Sequence, residues 1–214
     1  MNKEIFTRIL SSLILIPIVF FFIIKGSVFF NFFILVMLLI TLYEWHYLSF
    51  KKFYYFPGFI FIFFSFYTFY FLRIEGEYQF FLLILLTCIA TDIGGYIFGK
   101  ILKGPKLIKI SPNKTYAGML GSFIFSVVLV SIYLNNLTFL SVAEFDRKMG
   151  IQIMFIVLSI SFISQVGDLV ISFFKRKLKI KNTGKIIPGH GGILDRIDGM
   201  IFAFPYVFIL QKII

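Results

Sequence analysis

Two carboxylates three residues apart, Asp195 and Asp198, follow directly on the loop Pro188-Gly189-His190-Gly191-Gly192. On a helix that spacing puts both side chains on one face. Close carboxylates repel unless a cation lies between them, and carboxylate oxygens are the ligands Mg²⁺ requires. The glycines allow a ligand to approach the backbone, and N–H groups at a helix start suit phosphate oxygens. Residues 175–185 just upstream hold six Lys or Arg, among them Lys175, Arg176 and Lys181. Arg196 sits between the two acids. His190 would bind phosphate, shuttle a proton or brace the loop.

Two further acids lie inside apolar runs. Asp92 comes eight residues before Lys100, and Asp168 seven before Lys175. At 1.5 Å rise per residue each is about 10–12 Å inside its helix end. Acids in lipid are costly, so they are expected to face a cavity, a cation or each other. A second basic stretch reads Gly99-Lys100 and then Ser111-Pro112-Asn113-Lys114-Thr115. Lys114 with the hydroxyls of Ser111 and Thr115 can hold phosphate oxygens, although the Walker A spacing is absent. The bland alternatives are an interhelical polar contact for Asp92 and Asp168, a dipole-complementing helix start for Asp195 and Asp198, and an ordinary basic membrane loop around Lys114.

The elements that must position these groups are membrane helices. The chain has 214 residues, 59% of them hydrophobic and 14% charged, with 32 Phe. Soluble domains carry about 25% charged residues. Seven apolar segments are expected as spans, at about 9–24, 28–45, 56–72, 80–98, 119–134, 151–174 and 197–210, in an all-α bundle. The first and last are short. The first is expected to remain as a span, not to be cleaved as a leader. No internal repeat or linker divides the chain. It reads as one membrane-embedded domain over 1–214, with N-terminal spans in 1–79 and catalytic spans and loops in 80–214.

A cytoplasmic N-terminus places 16 of the 21 Lys and Arg in inside segments and 5 outside. That bias follows the positive-inside rule, which also accounts for the net charge of +11 without nucleic acid. Residues 99–118 and 175–196 then both face the cytoplasm. The lone Cys88 permits no internal disulfide.

The stretch Ser172 to Asp198 carries Ser172, Phe174-Lys175-Arg176, Lys181-Asn182, Gly184, Ile187-Pro188, His190-Gly191-Gly192-Ile193 and Asp195-Arg196-Ile197-Asp198 in order. It resembles the signature of the phosphatidate cytidylyltransferases, or CDP-diacylglycerol synthases. Asp92 through Gly118 resembles the family's preceding motif. The run Arg8–Val19 and the pair Glu44-Trp45 are similar to bacterial members. Three departures stand out: Asn182 where Asp is usual, Ala117 where Glu or Gln is usual, and Gly104-Pro105 in place of a common Gly-Lys-His pattern. The chain is also shorter before its fourth span.

The resemblance implies that CTP and phosphatidic acid give CDP-diacylglycerol and pyrophosphate, in a homodimer of a bacterial inner membrane. Mg²⁺ is expected, as one or two ions or beside a second, different cation, on Asp168, Asp195 and Asp198. Catalytic work is expected of those three with Lys175 and His190. Substrate binding is expected of Asp92, Ser111, Lys114, Thr115, Arg176, Lys181, Gly191, Gly192 and Arg196. A cavity open to the cytoplasm and to the inner leaflet should serve a lipid and a soluble nucleotide together. Two rival readings are a CTP-dependent kinase of a long-chain lipid alcohol and an ion-coupled transporter. A CDP-alcohol phosphotransferase is disfavoured because its Asp-Gly-x2-Ala-Arg motif is absent.

Overall fold

The computed structural model describes residues 3–108, 111–141, 147–189 and 191–213. Helices α1 (Lys3–Lys25), α2 (Ser27–Ser49), α3 (Tyr55–Ile74) and α4 (Tyr78–Leu102) come first. A hairpin of β1 (Lys106–Ile108) and β2 (Ser111–Thr115) follows. Then come α5 (Tyr116–Ser141), α6 (Arg147–Lys177), the single turn α7 (Leu194–Ile197) and α8 (Met200–Ile213). Six of the expected apolar segments are helical throughout, and the seventh, 197–210, is broken by a turn at Asp198-Gly199 between α7 and α8. Among the described residues five helices are long and apolar enough to cross a membrane, α2 to α6 in whole or in large part. The apolar helices at Leu13–Lys25 and Met200–Ile213 are shorter.

The hairpin departs from the all-α expectation. Its strands pair antiparallel, Lys106 with Thr115 and Ile108 with Ser111. Lys103 (φ 53°) and Gly104 (φ 103°) turn the chain out of α4 through left-handed conformations. Pro105 cannot continue a helix, and its carbonyl accepts a bond from the Tyr116 N–H at the start of α5 (3.2 Å). The departure at Gly104-Pro105 is thus the corner that opens the hairpin.

Small residues set how closely α4 and α5 approach. A Cβ on Gly118 would lie 2.7 Å from the Gly95 carbonyl oxygen, and one on Gly94 2.7 Å from that of Gly121. Close backbone approach through small residues is how membrane helices pack without a hydrophobic driving force. Hydroxyls add glue: Ser122 Oγ donates to the Thr91 carbonyl (2.7 Å), and Thr91 Oγ1 to Ser161 Oγ on α6 (2.8 Å). Away from this seam the core is aromatic. Phe81 of α4 lies 5.7 Å from Phe30 of α2 and 4.8 Å from Phe204 of α8, ring centre to ring centre. Phe204 in turn lies 4.2 Å from Phe69 of α3. That cluster draws the short α8 into the bundle.

On the outside, Val28, Phe32, Leu35 and Leu39 form an exposed stripe along α2. An apolar face of that length suits hydrocarbon, as does confining backbone polar groups to helices. Trp45 and Phe174 meet edge to face at 5.5 Å, and the Trp45 indole N–H donates to the Tyr55 carbonyl (3.1 Å). The ends of α2 and α6 and the start of α3 therefore share one end of the bundle.

Candidate active site

At that same end the charged residues meet. Lys114 of β2 forms an ion pair with Asp168 of α6, each side chain 27% exposed. Asp168 also accepts a bond from Ser172 one turn further along α6 (3.2 Å). The hairpin therefore packs against the last third of α6, the helix from which the next loop departs.

Asp195 and Asp198 do have a cation between them, and it is an ammonium. Lys175 Nζ lies 2.8 Å from Asp195 Oδ1 and 3.8 Å from Asp198 Oδ2. Lys175 and Asp198 are buried, at 8% and 7% exposure. A lysine at this depth needs such partners, because burying an unpaired charge costs several kcal/mol. The other oxygen of Asp195 accepts the backbone N–H groups of Thr183 (2.7 Å) and Gly192 (3.0 Å). Asp198 accepts the N–H of Gly199 (3.0 Å). Close approach brings Asp198 to α6: a Cβ on Gly167 would lie 2.8 Å from the Asp198 carbonyl oxygen, and one on Gly199 2.3 Å from Ser164 Oγ.

Asp92, Asp168 and Asp198 lie within electrostatic reach of one another, with Lys114 and Arg196 near Asp92 and Lys175 beside Asp198. Asp92 is exposed although it lies well inside α4. Three carboxylates lie in this region with two lysines and an arginine, and carboxylates are hard-oxygen donors. Oxygens of this kind suit a divalent ion, and in this structure Asp168 and Asp195 are each paired with a lysine ammonium. Among the described residues no three acid, His or Cys side chains are close enough to ligate one ion together.

The remaining expected residues are placed as follows. Arg176, Lys181 and Arg196 are exposed around the loop, and Arg176 Nη1 donates to the Ile180 carbonyl (3.4 Å). Thr115 Oγ1 accepts the N–H of Gly118 (3.0 Å), which makes it the N-cap of α5. Ser111 opens β2 and is half-buried. Gly191 and Gly192 are buried. Gly191 has φ +90° and pairs its N–H and carbonyl with Ile187, so the glycine loop closes as a tight bridge. His190 lies outside the described residues. Asn182 is exposed and packs beside Gly191 and Asp195. An apolar cavity of about 200 Å³ lies behind the loop, lined by Trp45, Phe61, Val170, Phe174 and Leu194 among others.

One residue had no role assigned from its position in the sequence. Glu44, near the end of α2, is 1% exposed and reaches the loop from below. It accepts bonds from Thr183 Oγ1 (2.8 Å), Ile193 N–H (2.9 Å) and Leu194 N–H (2.8 Å). Scarcity was its signal, since it is one of only 10 acids in the chain and follows a long apolar run.

A model of the cytidylyltransferase family matches residues 52–214. A phosphatidate cytidylyltransferase of Rickettsia felis is 34% identical over 98% of this chain and 93% of its own length. One from Staphylococcus aureus is 39% identical over 66% of this chain, a match that spans about half (52%) of that relative. One from Rickettsia bellii is 39% identical over 61% of this chain and 57% of its own length.

Proposed function

The chain belongs to the cytidylyltransferase family, and from that premise we propose that it makes CDP-diacylglycerol and pyrophosphate from CTP and phosphatidic acid. The observation that carries the reading is the convergence at one end of the bundle of Asp92, Asp168 and Asp198 with Lys114 and Lys175. A phosphate oxygen of the lipid attacks the α-phosphorus of CTP. The bond from that phosphorus to the bridging oxygen breaks, and pyrophosphate departs with the electron pair. The attacking oxygen is already ionised near neutral pH, so no strong base is needed. The difficulty is bringing two polyanions together, and the protein's work is positioning and charge neutralisation.

Asp168 and Asp198, with Asp195 and Asp92 beside them, are the residues that would hold Mg²⁺. Bound Mg²⁺ supplies charge to the phosphate oxygens and to the leaving pyrophosphate. Lys175 holds Asp195 and Asp198 in register. Arg176, Lys181 and Arg196 surround the loop as exposed cations for the triphosphate. Lys114 and Ser111 face the nucleotide or lipid phosphate from the hairpin, on a strand that the Thr115 cap fixes to α5. We further propose seven spans, a cytoplasmic N-terminus and site, an inner-membrane location and a homodimer.

The test uses the purified protein with labelled CTP, Mg²⁺ and phosphatidic acid. CDP-diacylglycerol and pyrophosphate in equal amounts are expected, and EDTA should abolish both. Release of CDP with a phosphorylated lipid alcohol would point to a kinase instead. CTP-independent ion flux in proteoliposomes without CTP consumption would point to a transporter.

A further inference from the structure

Glu44 is the only acidic residue in α2, and its carboxylate forms no ion pair among the described residues. A buried carboxylate is tolerated only where hydrogen bonds replace water. Its three donors all come from the loop between α6 and α8, some 140 to 150 positions further along the chain. Two of them are N–H groups at the start of α7, where the backbone has no partner of its own. Ile193 and Asp198 both keep right-handed helical dihedrals, so this start governs the run that carries Asp195 and Asp198.

The loop is in fact folded onto two carboxylates. Thr183 gives its N–H to Asp195 and its hydroxyl to Glu44. Gly192 gives its N–H to Asp195, and Ile193 and Leu194 give theirs to Glu44. The fit leaves no room for side chains: a Cβ would lie 2.7 Å from Glu44 Oε1 on Gly184 and 2.4 Å from Glu44 Oε2 on Gly192. Two glycines of the loop are therefore glycines because Glu44 is there.

We propose that Glu44 is a positioning residue for the transfer reaction. It sets the height and rotation of the turn bearing Asp195 and Asp198, and it acts through that turn without touching substrate. The proposal rests on the reaction given above. Only a carboxylate answers the geometry, because three donors converge on two oxygens. A glutamine offers one acceptor oxygen and turns its NH₂ toward groups that also donate.

Glu44→Gln tests it, purified in detergent beside wild type. Steady-state rates give kcat and KM for CTP, and hydrogen exchange of the unliganded protein reports on residues 183–197. The expected result is a kcat at least about tenfold lower, with exchange at 183–197 faster by about tenfold or more and α4–α5 unchanged. Wild-type kcat and exchange would overturn the proposal. So would faster exchange throughout the bundle with normal kcat per folded molecule, which is what a merely structural residue gives. Thr183→Val keeps the two backbone bonds and is expected to lose about three- to tenfold in kcat. The double variant should lose no more than about twofold beyond Glu44→Gln, since residues of one network are not additive; multiplied losses would overturn the idea. Should Glu44→Gln not fold, Thr183→Val decides alone, and an unchanged kcat refutes the role. If wild type makes no CDP-diacylglycerol, the reaction is refuted, and the exchange measurement still judges the bracing.

Discussion

Lysines hold Asp168 and Asp195 in different settings. The Lys114–Asp168 pair is open to water, and the Lys175–Asp195 pair is nearly closed off. Exposed pairs contribute little to stability, so Lys114→Ala should leave the fold intact while kcat/KM falls at least about tenfold, or about 1.4 kcal/mol. Thermal unfolding beside CTP kinetics checks this, and an equal loss of folded protein would contradict it. Lys175→Ala should instead lower stability, because truncating one member of a buried pair strands the other and costs about 3–5 kcal/mol. Asp168→Asn is expected to lose at least about 10²-fold in product formation if it holds metal, measured at saturating CTP. These acids were legible in the sequence because charge is scarce in apolar runs. Glu44's task was not, because two of its three partners are backbone N–H groups, which leave no trace in residue identity.

At the level of elements, the α4–α5 seam carries the hairpin and so fixes Lys114. Gly118→Leu should push the backbones apart, since even a Cβ there would lie 2.7 Å from the Gly95 oxygen. Overpacking of this kind costs about 1–3 kcal/mol, and the midpoint of heat unfolding in detergent should fall by several degrees. Thr115→Val removes the cap of α5 and should cost about 0.5–2 kcal/mol, with Thr115→Ser close to wild type in the same unfolding measurement. The helices themselves were legible from apolar run length. The hairpin was not: strands of three and five residues rich in Lys, Ser and Pro have the composition of a loop. Only the corner at Lys103-Gly104-Pro105 that precedes them and their pairing with each other make them strands.

For the molecule as a whole, the ends of α2 and α6 and the hairpin must lie on one side of the membrane. The sole cysteine, Cys88, is buried, so single cysteines introduced at Lys103 and at Glu75 are readable against a silent background. An impermeant maleimide should label the first only from the cytoplasmic side and the second only from outside. The reverse pattern would overturn the proposed orientation. Lysine and arginine bias is the ground for that proposed orientation, whereas the joining of α2 to a loop some 140 positions later was not legible, because tertiary packing alone brings them together. One consequence concerns light. The chain's single tryptophan, Trp45, follows Glu44 directly and meets Phe174 two residues before Arg176. Trp45 also lines the apolar cavity beside Leu194 of α7, so if nucleotide reseats that loop, its emission is expected to change in colour or brightness in the unlabelled protein.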